Sequence, residues 1–170
     1  MATVSSQVTY VIALDVDPKD YISVDQYDVG HLLSTHRDLA EVAFPQQRCY
    51  IHSSRLICLN GEERVLANTF KRIDKAQEAF TNALKCVPPD CYLKRCGRLL
   101  DSVKVDLKHT CDEALSEIDG CYDIVREWLT EIERDGQVHY LNGAQHFDKH
   151  ISNLKKILAQ NIVKRIKMRS

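Results

Sequence analysis

The sequence has no apolar run near the roughly 20 residues that a membrane-spanning helix needs, so nothing in its 170 residues predicts a transmembrane segment. Its opening, Met1 to Gln7, has neither the charged nor the apolar region of a secretory signal, and its last four residues, Lys167 to Ser170, are no prenylation box. The expectation is a cytoplasmic or nuclear protein that is not secreted. Also missing are a glycine-rich phosphate loop, a Gly-x-Ser-x-Gly elbow and a clustered pair of acids, so the common enzyme classes find no support and no cofactor or small-molecule substrate is implied. Neither sign of charge is in excess: the formal net charge of −1, with 44% apolar residues, describes an ordinary globular composition. Seven cysteines are present. Their number is odd and several fall on apolar helix faces, so they read as reduced, mostly buried thiols rather than a disulfide framework.

What is present in quantity is helical periodicity. From Leu93 to Ile132 apolar residues recur at three- and four-residue steps through Cys96, Leu100, Val103, Leu107, Thr110, Ala114, Ile118, Cys121, Val125 and Trp128. That spacing is one stripe along one helix. The step from Ala114 to Ile118 breaks the alternation and marks a phase shift. No proline interrupts the stretch. A continuous helix over 91–134 reaches about 60 Å, longer than the ~40 Å diameter of a compact domain of this size. The possible capping box Thr110-Cys111-Asp112-Glu113 and the glycine at Gly120 are the places where it would break.

Earlier in the chain, Val8 to Val16 alternates as a strand, and Val29, Leu32, Leu33, His36, Leu39, Ala40 and Ala43 read as a helix from Ser23 to Pro45. The runs Cys49–Ile51 and Leu56–Leu59 suit a hairpin. Asn60 and Asn142 are cap candidates for helices over about 61–86 and 143–167, and Gly136 ends the long helix. The predicted fold is mainly α: a helical bundle organised on one long helix, with a small antiparallel β element inside an N-terminal α/β piece over 1–60 that packs on the body, a helical body over 61–170 and a single domain overall.

Charge is segregated. Residues 101–135 carry eleven acids and four basic residues, whereas 149–170 carry seven basic residues and no acid. The two segments are expected to face each other, within one chain or between two.

The function this pattern supports is a non-enzymatic helical scaffold or adapter acting through protein–protein binding. Self-association as a homo-oligomer through a coiled-coil-like seam follows from the helix's excess length, with Val125, Trp128 and Ile132 as the interface residues. The alternative is sequence-independent nucleic-acid binding, RNA included, through Lys155, Lys156, Lys164, Arg165, Lys167 and Arg169 of the last helix.

Two weaker constellations stand beside these. Cys86, Cys91 and Cys96 lie five apart, with His109 or Cys111 as a distant fourth partner, a poor match to zinc knuckles. Lys85, Lys94, Arg95 and Arg98 surround Cys91 in sequence, which makes it the candidate reactive thiol. His146 and His150 stand i, i+4 with His139 nearby, but no glutamate follows His146 as the hydrolase pattern requires, so no metal is assigned.

Overall fold

The computed structural model describes residues 9–15, 24–59, 64–86, 89–135 and 143–169. The cap candidates Ser23, Asn60 and Asn142, the glycine at Gly136, His139 and the strand ends at Val8 and Val16 lie outside the described residues. The chain is mostly helical, with one antiparallel sheet, and divides into two compact units: Met1–Ala67 with Ala159–Ser170, and Asn68–Leu158.

In the first unit, strands β1 (Thr9–Ala13), β2 (Val29–His36), β3 (Leu39–Ala43), β4 (Arg48–His52) and β5 (Leu56–Cys58) form one sheet in the order β4-β3-β2-β1-β5. The two short runs expected to pair with each other, now β4 and β5, occupy opposite edges. Only the 3-10 turn Ser53–Arg55 joins them. From His52 to Leu56 the chain spans at most about 14 Å, while the edges of a flat five-stranded sheet stand about 19 Å apart. The sheet is therefore curled. Its concave side holds the apolar cluster Val11, Ala13, Val24, Ala40, Val42, Phe44, Cys49, Ile51 and Leu56. Gly30 permits the curl: a Cβ there would stand 2.7 Å from Val42 Cγ1 and 2.9 Å from the Ala43 carbonyl oxygen.

The helix expected over 23–45 is the β2–β3 hairpin instead. Tyr27 and Arg37 have φ of 68° and 56°, left-handed values that no helix contains. Asp28 secures the turn ahead of β2, its Oδ2 accepting from the Asp25 N–H and from Gln46 Nε2, each at 2.8 Å. Of the residues spaced like a helix, Leu39 is exposed, Ala40 buried and Ala43 half-buried, and with Val42 buried between the two alanines the burial over Leu39–Ala43 follows the two-residue period of a strand.

In the second unit, α1 (Arg64–Lys85), α2 (Asp90–Thr110), α3 (Leu115–Asp135) and the first part of α4 (Gly143–Arg169) form an up-down-up-down bundle. The single long helix does not exist. Cys111 is extended, at φ −158° and ψ 92°, and the turn Asp112–Ala114 reverses the chain so that α3 runs back along α2. Lys104 Nζ meets Asp119 Oδ1 at 2.6 Å across this hairpin. The break falls at the capping-box candidate, where Thr110 Oγ1 donates to the Asp106 carbonyl at 2.9 Å and Cys111 occupies the cap position.

The stripe survives as core: Leu93, Cys96, Leu100, Val103, Leu107, Ala114, Ile118, Cys121, Val125 and Trp128 are all buried. A rod would leave this seam to a second chain. The reversal closes it against its own first half and against α1 and α4, whose Phe70, Ile73, Phe80, Phe147, Ile151 and Leu154 are buried with it.

Polar ties run around the ring. Arg72 and Thr69 of α1 donate to Asp106 of α2, and Lys155 of α4 returns to Asp74 of α1. His150 Nδ1 of α4 lies 2.6 Å from Glu117 Oε2 of α3. The meeting of acidic and basic segments thus includes His150 with Glu117, while Lys155 turns to α1.

Candidate protein-binding face

Strand alternation places one set of β2–β4 side chains inside the curl and the other outside. Ala40, Val42, Cys49 and Ile51 go in, so Leu39, Glu41, Tyr50 and His52 go out. Pairing extends these into rows: His36↔Leu39↔His52, and Ser34↔Glu41↔Tyr50. Register shifts between Leu32 and Ser34. Leu32 faces the core and Ser34 the outer row, so the extra residue Leu33 emerges on the outer side as well.

The outer face is bare at this end and covered at the other. Tyr10, Ile12 and Val29 are buried, with Tyr10 edge-on to His31 at 4.8 Å between ring centroids. In contrast Leu33, Leu39 and Tyr50 are 44%, 47% and 63% exposed.

Glu41 organises the bare end. Its Oε1 accepts from Ser34 Oγ at 3.3 Å, and its Oε2 pairs with Arg48 Nε at 3.3 Å. The Tyr50 phenol hydrogen-bonds the same carboxylate, which raises its pKa above the ordinary tyrosine value. Tyr50 is thus exposed beside the Glu41 carboxylate, and an aromatic side chain with two rotatable bonds gives contact area at low entropic cost.

At the other row, His52 Nδ1 accepts the Ser54 N–H at 3.2 Å and lies 2.7 Å from Ser54 Oγ. A nitrogen that accepts a backbone N–H carries no hydrogen, so the neutral ring presents Nε2–H as a donor.

The residues singled out from the sequence lie elsewhere. Val125 and Trp128 are 2% and 3% exposed, and Trp128 packs on Phe80 at 4.7 Å; Ile132 is half-buried. These side chains are occupied inside one chain. Lys164, Arg165 and Lys167 are exposed on the last turns of α4, Lys156 is half-buried and Lys155 is engaged with Asp74. The Arg169 side chain lies outside the described residues.

Cys91 is exposed in the first turn of α2, whereas Cys96 is buried, and burial pushes its thiol up to about 12. Cys121 is raised as well, by burial first and then by Cys96 and Glu117. Among the described residues no group of three or more His, Cys, Asp or Glu side chains is placed to hold a metal ion. His150, of the i, i+4 pair, is the tie to Glu117, and His146 is exposed. Of the bare face, β2 and β3 fall in the span whose spacing reads as a helix and β4 in a run that reads as a hairpin strand; a two-residue period over 39–44 and 48–52 is the signal that carries the face.

No protein-family model matches the chain, and comparison with curated proteins and with solved structures likewise finds no match.

Proposed function

We propose that the protein is a non-enzymatic binding protein that docks another polypeptide on the bare outer face of β2, β3 and β4. One observation carries this reading. Of the five large apolar side chains exposed among the described residues, three (Leu33, Leu39 and Tyr50) share that face, and Tyr50 stands beside the Glu41 carboxylate. Scattered exposed apolar residues need no explanation, but a cluster that includes an aromatic is the form of a binding hot spot. The connectivity is a four-strand meander with a fifth strand returning to the first after one 3-10 turn. A fold by itself hosts unrelated functions, so the site and not the fold supports the reading. Self-association, argued from a helix too long for its own domain, loses that support where the chain reverses at Cys111.

The test is selection from a displayed library of proteome fragments against the immobilised chain, with Leu39→Asp/Tyr50→Asp as counter-target. Fragments that bind the wild type and lose at least tenfold on the variant support the reading. No enrichment, or binders indifferent to the variant, removes it.

A second reading, sequence-independent nucleic-acid binding, is favoured by the exposure of Lys164, Arg165 and Lys167 on one helix end. It requires retention of an RNA duplex in a gel shift at low salt, lost steeply as salt rises and lost on reversing those three charges.

A further inference from the structure

The outer rows specify more than an apolar contact. Leu39 stands between His36 on β2 and His52 on β4, all three on one face and in one register. The two histidines are two strand spacings apart, about 10 Å between Cα atoms, and both are exposed. His52 offers Nε2–H as a donor, because its other nitrogen is occupied by Ser54. Arg37 stands in the turn beside His36, and Arg48, at the start of β4, is paired with Glu41.

Its carboxylates are largely committed. Glu41 is engaged by Ser34, Arg48 and Tyr50, and Asp15 is paired with Arg55 at 3.6 Å beside the 3-10 turn; Asp38 lies in the β2–β3 turn. Imidazole donors thus flank an exposed leucine, with Arg37 beside one of them. A proline-rich ligand fits poorly, since polyproline segments dock in aromatic-lined grooves and Tyr50 is the single tyrosine among these exposed side chains.

We infer that this face takes an acidic, apolar polypeptide segment: an apolar side chain seated on Leu39, with neighbouring carboxylates accepting from His36 and His52. The inference rests on the proposed protein-binding role and names the partner's chemistry. The apolar contact supplies burial, and the imidazole donors select against segments whose flanking groups cannot accept a hydrogen bond, because those leave donors covered and unpaired.

A displayed library of random sixteen-residue peptides, selected on the intact chain, is the probe. Enriched peptides are expected to carry Asp or Glu beside a bulky apolar residue. Replacing those acids with Asn or Gln in the synthetic peptide, or His52→Ala or His36→Ala in the protein, is expected to weaken binding about tenfold, with the two losses non-additive in a double-mutant cycle. Both histidines are exposed, so unchanged circular dichroism and melting temperature in the variants separate a binding loss from unfolding. Enriched peptides that lack acids, or that ignore the histidine variants while still losing binding on Leu39→Asp, overturn the carboxylate assignment and leave the docking face standing. No enrichment at all overturns both.

Discussion

Gly120 on α3 leaves room for the imidazole of His150 on α4: a Cβ at position 120 would stand 2.6 Å from His150 Cε1 and 2.7 Å from its Nε2. The same ring holds Glu117, one turn earlier on α3, at 2.6 Å. In an ordinary helix interior Gly→Ala gains about 1 kcal/mol. Here Gly120→Ala is expected to lose about 1 kcal/mol in urea denaturation, because the ring must leave its place against Glu117. In a His150→Ala background the obstruction is gone and Gly120→Ala is expected to become stabilising. A gain in both backgrounds would mean that the two helices do not meet at this point.

Gly30 faces a harder limit. The atoms that a Cβ would meet include a backbone carbonyl, so relief by side-chain rotation is closed. Gly30→Ala is expected to cost about 3 kcal/mol, the upper end of overpacking penalties. The cost should appear in thermal denaturation, and survival at the wild-type melting temperature would show that the sheet is not curled as described.

Trp128 belongs to the core of the bundle, with Phe80 between it and Phe147; the two phenylalanine rings stack at 3.9 Å and 7°. Phe80→Ala and Trp128→Ala are each expected to destabilise by about 3–5 kcal/mol. Their effects should be non-additive, since the rings share contacts. An interface role predicts something different for Trp128→Asp, namely a folded monomer in light scattering, where the core role predicts unfolding.

The buried thiols set an alkaline limit. Cys96 rises from an ordinary 9.0 to about 12 through burial, so between those values the folded chain keeps a proton that the unfolded chain releases. Stability therefore falls as pH rises through that window, by about 1.4 kcal/mol per pH unit for this thiol. Comparing urea unfolding at about pH 8 and about pH 10, the wild type should lose about 1.4 kcal/mol more than Cys96→Ala does. Equal losses would contradict the assignment. Alkylation at about pH 8 should reach the exposed Cys58 and Cys91 while sparing Cys96 and Cys121.

The helical half was legible because its signal is redundant: of the stripe's twelve positions from Leu93 to Ile132, the eleven up to Trp128 are core positions or lie at the break, though the helix ends at Thr110 and Leu115 were not foreseen. What periodicity could not convey is direction. A stripe folded onto itself and a stripe along a rod have the same spacing, and only the phase shift at Ala114–Ile118 and the Thr110–Glu113 capping pattern hinted at the turn between them. In the sheet the error was one of period. Val29, Leu32, His36 and Leu39 fit a helix by accident of a two-residue hairpin loop, and Arg37 has no turn-forming glycine or asparagine character to reveal its left-handed backbone. The outer face went unseen for the same reason, since a face exists only once the strands are in register.

Whether the apolar stripe is consumed inside one chain or left for a partner decides where a partner can bind, and one distance decides that. Spin labels at the exposed positions Arg98 on α2 and Glu127 on α3 would be about 44 Å apart along a straight helix. In the hairpin, with axes 8–10 Å apart, the labels should fall within about 25 Å. A double electron–electron resonance distribution centred below that value is the result expected, and one centred near 44 Å would restore the rod, contradict the closed seam and return Val125 and Trp128 to a partner.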